Sequence, residues 1–108
     1  MIYTIEQIKD KVVPIAVKYN LPAMYLFGSY ARGEANEHSD VDFMIDRTGT
    51  KVHGLYELAA VYNDLEETLE KKIDLLTTDG VEQNRVRHPQ LKFAETLDRE
   101  RIVLYEKQ

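Results

Sequence analysis

Three features of the 108-residue sequence could carry chemistry: the pair Gly28-Ser29, the triplet Asp40-Val41-Asp42, and a lone carboxylate, Asp74, inside the apolar run Ile73 to Thr77. On a strand, Asp40 and Asp42 point the same way, about 6–7 Å apart by strand rise. An unpaired carboxylate in an apolar strand is costly, so Asp74 calls for a partner. Carboxylates gathered in a small volume repel one another unless a cation lies between them. Hard oxygen donors without His or Cys suit Mg²⁺, which binds through one or two carboxylates plus substrate phosphates. Two such ions about 3.5–4 Å apart activate an attacking oxygen and steady a leaving phosphate. Gly28-Ser29 supplies the complementary half, because glycine admits close backbone approach and a helix N-terminus offers N–H donors to phosphate. Arg32, one turn further, lies on the same helical side as Ser29, where it reaches the same anion or pairs with an acid.

The elements that must position these residues follow from periodicity. Thr4 with Gln7 reads as a capping box, and Ile5, Ile8, Val12, Ile15 and Tyr19 form an apolar helical stripe interrupted by Pro14, where a kink or break is expected. Asn20-Leu21-Pro22 ends that helix, and Ala23 to Phe27 suits a buried strand. A helical turn runs from Ser29 to about Gly33, then a polar loop from Glu34 to Ser39. Asp40 to Asp46 alternates, with Val41, Phe43 and Ile45 on one face and Asp40, Asp42 and Met44 on the other, a half-buried strand. After a turn at Arg47 to Thr50, Leu55, Leu58, Tyr62, Leu65 and Leu69 define an amphipathic helix. Ile73 to Thr77 is a third strand, closed by a turn at Asp79-Gly80. Val81 to Val86 and Pro89 to Leu97 read as helical, and Ile102 to Tyr105 as a closing edge strand. The fold class is α/β (α+β), a small mixed sheet flanked by helices.

The long helical link from Arg47 to Lys72 suits a crossover between parallel strands. The link from Gly28 to Asp40 is much shorter, close to the minimum for a parallel crossover, and so admits an antiparallel first strand. That one topology brings Gly28-Ser29 and the three aspartates to the same sheet edge.

Composition narrows the function. The 108 residues are read as a single domain, residues 1–108. No apolar run approaches a transmembrane length of about 20 residues, and the start, Met1 to Glu6, lacks a signal-peptide layout. Without cysteine there is no disulfide, thiol nucleophile or thiolate zinc site. A net charge of −5 argues against direct binding to nucleic acid or an anionic membrane. A cytoplasmic domain is expected. His38, His53 and His88 lack metal-ligand spacing, Tyr30 reads as packing, Asp46 as a turn cap, and the group Arg85, Arg87 and His88 as a solvated face.

Gly28-Ser29-Tyr30-Ala31-Arg32-Gly33 followed by Ser39-Asp40-Val41-Asp42 resembles the GS…DxD signature of the DNA polymerase beta-like nucleotidyltransferase superfamily. On so short a chain it is similar to the minimal nucleotidyltransferases (MNT), often the antitoxin half of a pair with a helical HEPN toxin. The likeness runs from about Tyr19 to Asp74, and Ile102 to Glu106 also fits. It implies a polymerase beta-like palm, with Ser29 and its turn holding the β- and γ-phosphates of a nucleoside triphosphate. It also implies that Asp40 and Asp42 bind both metal ions, and that Asp74 completes the metal site on the acceptor side and helps activate the attacking hydroxyl. In toxin-linked members it implies transfer of AMP from ATP to a tyrosine of the partner, silencing an RNase. Only about 30 residues follow Thr78, so a partner is expected to supply much of the acceptor-binding surface. Two alternatives stand beside this reading: a non-catalytic antitoxin acting by binding alone, and an enzyme modifying a small molecule or an RNA end.

Overall fold

A computed structural model describes residues 1–108. Thr4 opens helix α1 (Ile5–Lys18) with the expected reciprocal cap, Gln7 N donating to Thr4 Oγ1 at 3.1 Å and Thr4 N to Gln7 Oε1 at 2.8 Å. Pro14 does not break this helix. Proline removes a donor to the carbonyl four residues back, but Pro14 and Asp10 both lie on the exposed side, where water replaces the lost partner. Ile8, Val12 and Ile15 bury the predicted stripe.

Four strands follow: β1 (Ala23–Phe27), β2 (Val41–Asp46), β3 (Ile73–Thr77) and β4 (Ile102–Glu106), in the order β3-β2-β1-β4. In the topology that the link lengths suggested, β1 runs antiparallel to β2, and β2 runs parallel to β3 through a crossover containing helix α3 (Leu55–Leu69). Strand β4 pairs antiparallel with β1 and forms one edge, as expected. A five-residue helix, α2 (Gly28–Arg32), leaves β1 directly.

Both faces of the sheet are covered. Helices α1 and α3 pack on one face with Val41, Phe43 and Ile45 of β2. The other face carries helices α4 (Thr78–Arg87) and α5 (Phe93–Glu100), separated by a 3₁₀ turn (Pro89–Leu91). Met44 packs there with Val81, Ala94 and Leu97 and is only 2% exposed. The expectation of a half-buried β2 is therefore corrected. Its last residues are covered on both sides, and only the leading half leaves the aspartate face open. Met44→Ala is expected to lower unfolding free energy by about 2–4 kcal/mol, read from urea denaturation; a loss below about 1 kcal/mol would mean that α4 and α5 are not firmly seated.

Two further boundaries shift. Leu55 belongs to α3 but is 84% exposed, and Val61 occupies the core instead. Helical spacing names a stripe, and burial also requires an opposing surface, which Leu55 at the start of α3 lacks. Asp79-Gly80 is not a turn closing β3 but the first turn of α4, with Thr77 Oγ1 accepting from Gly80 N at 3.1 Å. No helix is long and apolar enough to cross a membrane.

Candidate active site

The strand register decides what meets at the open sheet edge. Phe27 of β1 lies opposite Asp42 of β2, and Asp42 lies beside Asp74 of β3. Gly28 follows Phe27, so the Gly-Ser turn and two carboxylates adjoin across three strands. Asp40 sits one residue before β2. Strand parity puts Asp42 on the same face as Met44, and Asp74 on the same face as Leu76, the face that α4 and α5 cover further along.

At Gly28 the backbone runs close against the Asp42 carboxylate. The glycine's φ is +75°, and a Cβ placed on it would overlap Asp42 Oδ2 and come within 2.9 Å of Asp42 Cγ. The short helix that follows has no side-chain cap at its N-terminus and ends at Gly33, in the left-handed region with φ 76°.

These residues line a single open cavity of about 480 Å³. Gly28, Ser29 and Arg32 contribute from α2, Asp40 from just before β2, Asp42 from its start, and Asp74 from β3. The topology thus brings together every residue that the motifs singled out. The cavity's remaining wall, with Phe93, Thr96 and Glu100, belongs to α5, and no motif pointed to it. Its only trace in the sequence is the helical spacing of those residues, which does not say what the helix packs on.

Electrostatically the cavity is strained. Partial burial, contact with Asp74 and the nearby charges of Asp74 and Asp40 push the Asp42 carboxyl up to about 7, and Arg32 pulls in the opposite direction. Asp42 therefore holds a proton well above the usual carboxylate range. No group of three His, Asp or Glu side chains forms a ready-made metal cage. The three carboxylates line one cavity, with Asp42 in contact with Asp74 and Asp40 within Coulombic reach. The donor chemistry still suits a hard divalent cation: oxygen ligands alone, at a pair that otherwise retains a proton to relieve its repulsion.

Arg32 is not free. Its Nε donates to Glu34 Oε1 at 2.7 Å, and its Nη1 lies 3.3 Å and 3.2 Å from the two Glu100 carboxylate oxygens. These acids are glutamates outside the motif, not the aspartates of the cavity. Asp46 caps its turn as expected, accepting from Thr48 N at 2.9 Å. Arg85 forms ion pairs with Glu82, Glu95 and Asp98, in keeping with a solvated face. Tyr30 is buried.

Residues 10–108 match the polymerase beta nucleotidyltransferase family. A protein of Methanocaldococcus jannaschii, provisionally named a protein adenylyltransferase, is 38% identical over 88 residues, covering 82% of this chain and 86% of that one. The chain belongs to the polymerase beta nucleotidyltransferase family, and its enzymatic class is nucleotidyltransferase. Its fold is shared with a solved structure provisionally described as a minimal nucleotidyltransferase, at a TM-score of 0.66 and 27% identity over 93% of this chain and 95% of that one. A toxin–antitoxin structure with AMP-PNP superposes at a TM-score of 0.68, with 20% identity and coverage of 93% and 74%. A Shewanella oneidensis complex of a tri-AMPylated HEPN toxin with an MNT antitoxin gives 0.64, with 17% identity and coverage of 96% and 74%. At those identities the likeness is one of fold.

Proposed function

We propose that this nucleotidyltransferase transfers AMP from ATP to a hydroxyl, a tyrosine, of a HEPN-type toxin and so acts as its antitoxin. The observation that carries the reading is the register that sets Gly28 against Asp42 and Asp42 beside Asp74 within one cavity. The named activity of the 38% identical relative supports the acceptor class.

In this reading the turn from Gly28 through Ser29 binds the β- and γ-phosphates through backbone N–H groups and the Ser29 hydroxyl. Asp40, Asp42 and Asp74 would hold Mg²⁺, which the all-oxygen donor set suits. When bound, Mg²⁺ neutralises triphosphate charge and lowers the barrier to attack on phosphorus. The acceptor oxygen forms a new bond to the α-phosphorus as the bond to the pyrophosphate oxygen breaks. Asp74, on the acceptor side, orients the hydroxyl and takes up its proton. Pyrophosphate leaves with the electron pair of the broken bond.

Arg32 sits at the phosphate end but is shared between Glu34 and Glu100. Glu100→Gln removes one competing carboxylate, and inorganic tripolyphosphate should then bind several-fold more tightly by calorimetry. Unchanged affinity would take Arg32 out of the phosphate site.

The test of the function is intact-mass analysis of a helical protein encoded beside this chain, after incubation with the chain, ATP and Mg²⁺. The expected result is one or more adenylyl increments on that protein, absent with Asp42→Asn. A stable complex that never acquires an increment would replace transfer with neutralisation by binding.

A further inference from the structure

Helix α5 lines part of the cavity that holds the aspartates, and its residues divide into two stripes. Ala94 and Leu97 are buried against Met44, which fixes the helix on the sheet. Phe93, Thr96 and Glu100, spaced by three and four, line the cavity. Phe93 is 40% exposed, an aromatic ring left open to the cavity. Its position is set by Lys92, which adopts φ 58° without being glycine and turns the chain sharply from the 3₁₀ turn into α5. A non-glycine residue in that region costs roughly 1–2 kcal/mol, so the turn is held by the packing around it.

The hydrogen-bonding character of this wall is equally definite. The Thr96 hydroxyl donates to the Lys92 carbonyl at 3.0 Å, so only its lone pairs remain to face a ligand. Glu100, an acceptor only, is joined to Arg32 of α2. That ion pair ties α5 to the phosphate turn rather than to the Asp74 side. The wall therefore presents an aromatic face and an acceptor on the nucleotide side of the cavity.

We propose that α5 is the wall that recognises the nucleobase: Phe93 stacks on the base, and Thr96 accepts a hydrogen bond from its exocyclic amine. The inference rests on the nucleotidyl-transfer reading above and gives it a specificity, for a 6-aminopurine over a 6-oxopurine.

The experiment measures equilibrium binding of AMP-PNP, ITP and inorganic tripolyphosphate, each with Mg²⁺, to the wild-type chain and to Phe93→Ala, Phe93→Tyr and Thr96→Val. Phe93→Ala should weaken AMP-PNP about tenfold, as loss of one base–aromatic stack does, and leave tripolyphosphate within about twofold. Phe93→Tyr, which keeps the ring, should restore AMP-PNP binding. Thr96→Val should narrow the preference for AMP-PNP over ITP. Equal losses for AMP-PNP and tripolyphosphate, or no loss for either, overturn the assignment of α5. So does a Phe93→Ala variant that binds AMP-PNP normally but needs a higher concentration of the protein acceptor, which would make α5 the acceptor wall. A wild-type chain that binds neither AMP-PNP nor tripolyphosphate overturns the transfer reading together with this one.

Discussion

Asp42→Asn is expected to cripple nucleotidyl transfer and at the same time to make the cation-free protein more stable at neutral pH. The first half follows from removing a charged oxygen from the cavity in which the Gly-Ser turn and Asp74 meet. A loss of at least about a hundredfold is expected, the scale on which a single electrostatic contact to a reacting group acts. The second half follows from the raised Asp42 carboxyl, at about 7 in the folded chain against an ordinary 3.8. Between those values the folded chain holds a proton that the unfolded chain has lost. Stability is therefore fully present below about pH 4 and falls as pH rises through about 7. Asp42 is only partly buried, so solvent screening trims the effect to about 2 kcal/mol. Melting temperatures from pH 4 to 8, without divalent ions, should show the wild-type chain falling behind Asp42→Asn by several degrees as pH rises. Parallel curves would mean that Asp42 ionises like an ordinary carboxylate. Adding Mg²⁺ near pH 7.5 should raise the wild-type melting temperature and leave the variant unmoved, since an ion that binds only the folded state stabilises it by mass action.

Gly28→Ala should be as damaging to activity, for a steric reason. The residue combines a φ of +75° with the Asp42 carboxylate where a Cβ would stand. The conformation alone costs an alanine roughly 1–2 kcal/mol, and relieving the overlap displaces Asp42 from its place beside Asp74. Gly33 is the matching control, because its φ is +76° and nothing lies within 4 Å of its Cβ position. Gly33→Ala should lose stability by about 1 kcal/mol and keep transferring nucleotide, while Gly28→Ala loses both more stability and its activity. Paired denaturation and transfer assays read this directly. Equal behaviour of the two variants would show that the close approach to Asp42 is unimportant.

Much of the framework was legible in the order of residues. The Thr4–Gln7 cap and the stripe from Ile8 to Ile15 encode α1 within a few residues of themselves. The runs Ala23–Phe27 and Ile73–Thr77 became strands at the boundaries expected. Connection length then pointed to the topology, because the long helical link suits a parallel pair and the short one, near the minimum for a parallel crossover, leaves room for an antiparallel return. Given that topology, Gly28, Asp42 and Asp74 share a sheet edge, and the strand register bears this out.

What escaped the sequence depended on residues far away along the chain. Met44 alternates with Phe43 and Ile45 and so read as open, yet Val81, Ala94 and Leu97 bury it. Leu55 keeps the helical spacing but has no surface to pack on. Arg32 is near the aspartates by number, but its principal partners are Glu34 and Glu100, the latter 68 residues on. The α5 wall with Phe93 and Thr96 has no motif, because a helix becomes part of a site only through the element it is packed on. Residue types and local periodicity thus set the elements and the kinds of chemistry available. Docking of α4 and α5 on the sheet set which faces close, which charges meet, and how far the Asp42 carboxyl departs from its ordinary range. Burial and electrostatic coupling act through space, and only the folded chain defines the distances over which they act.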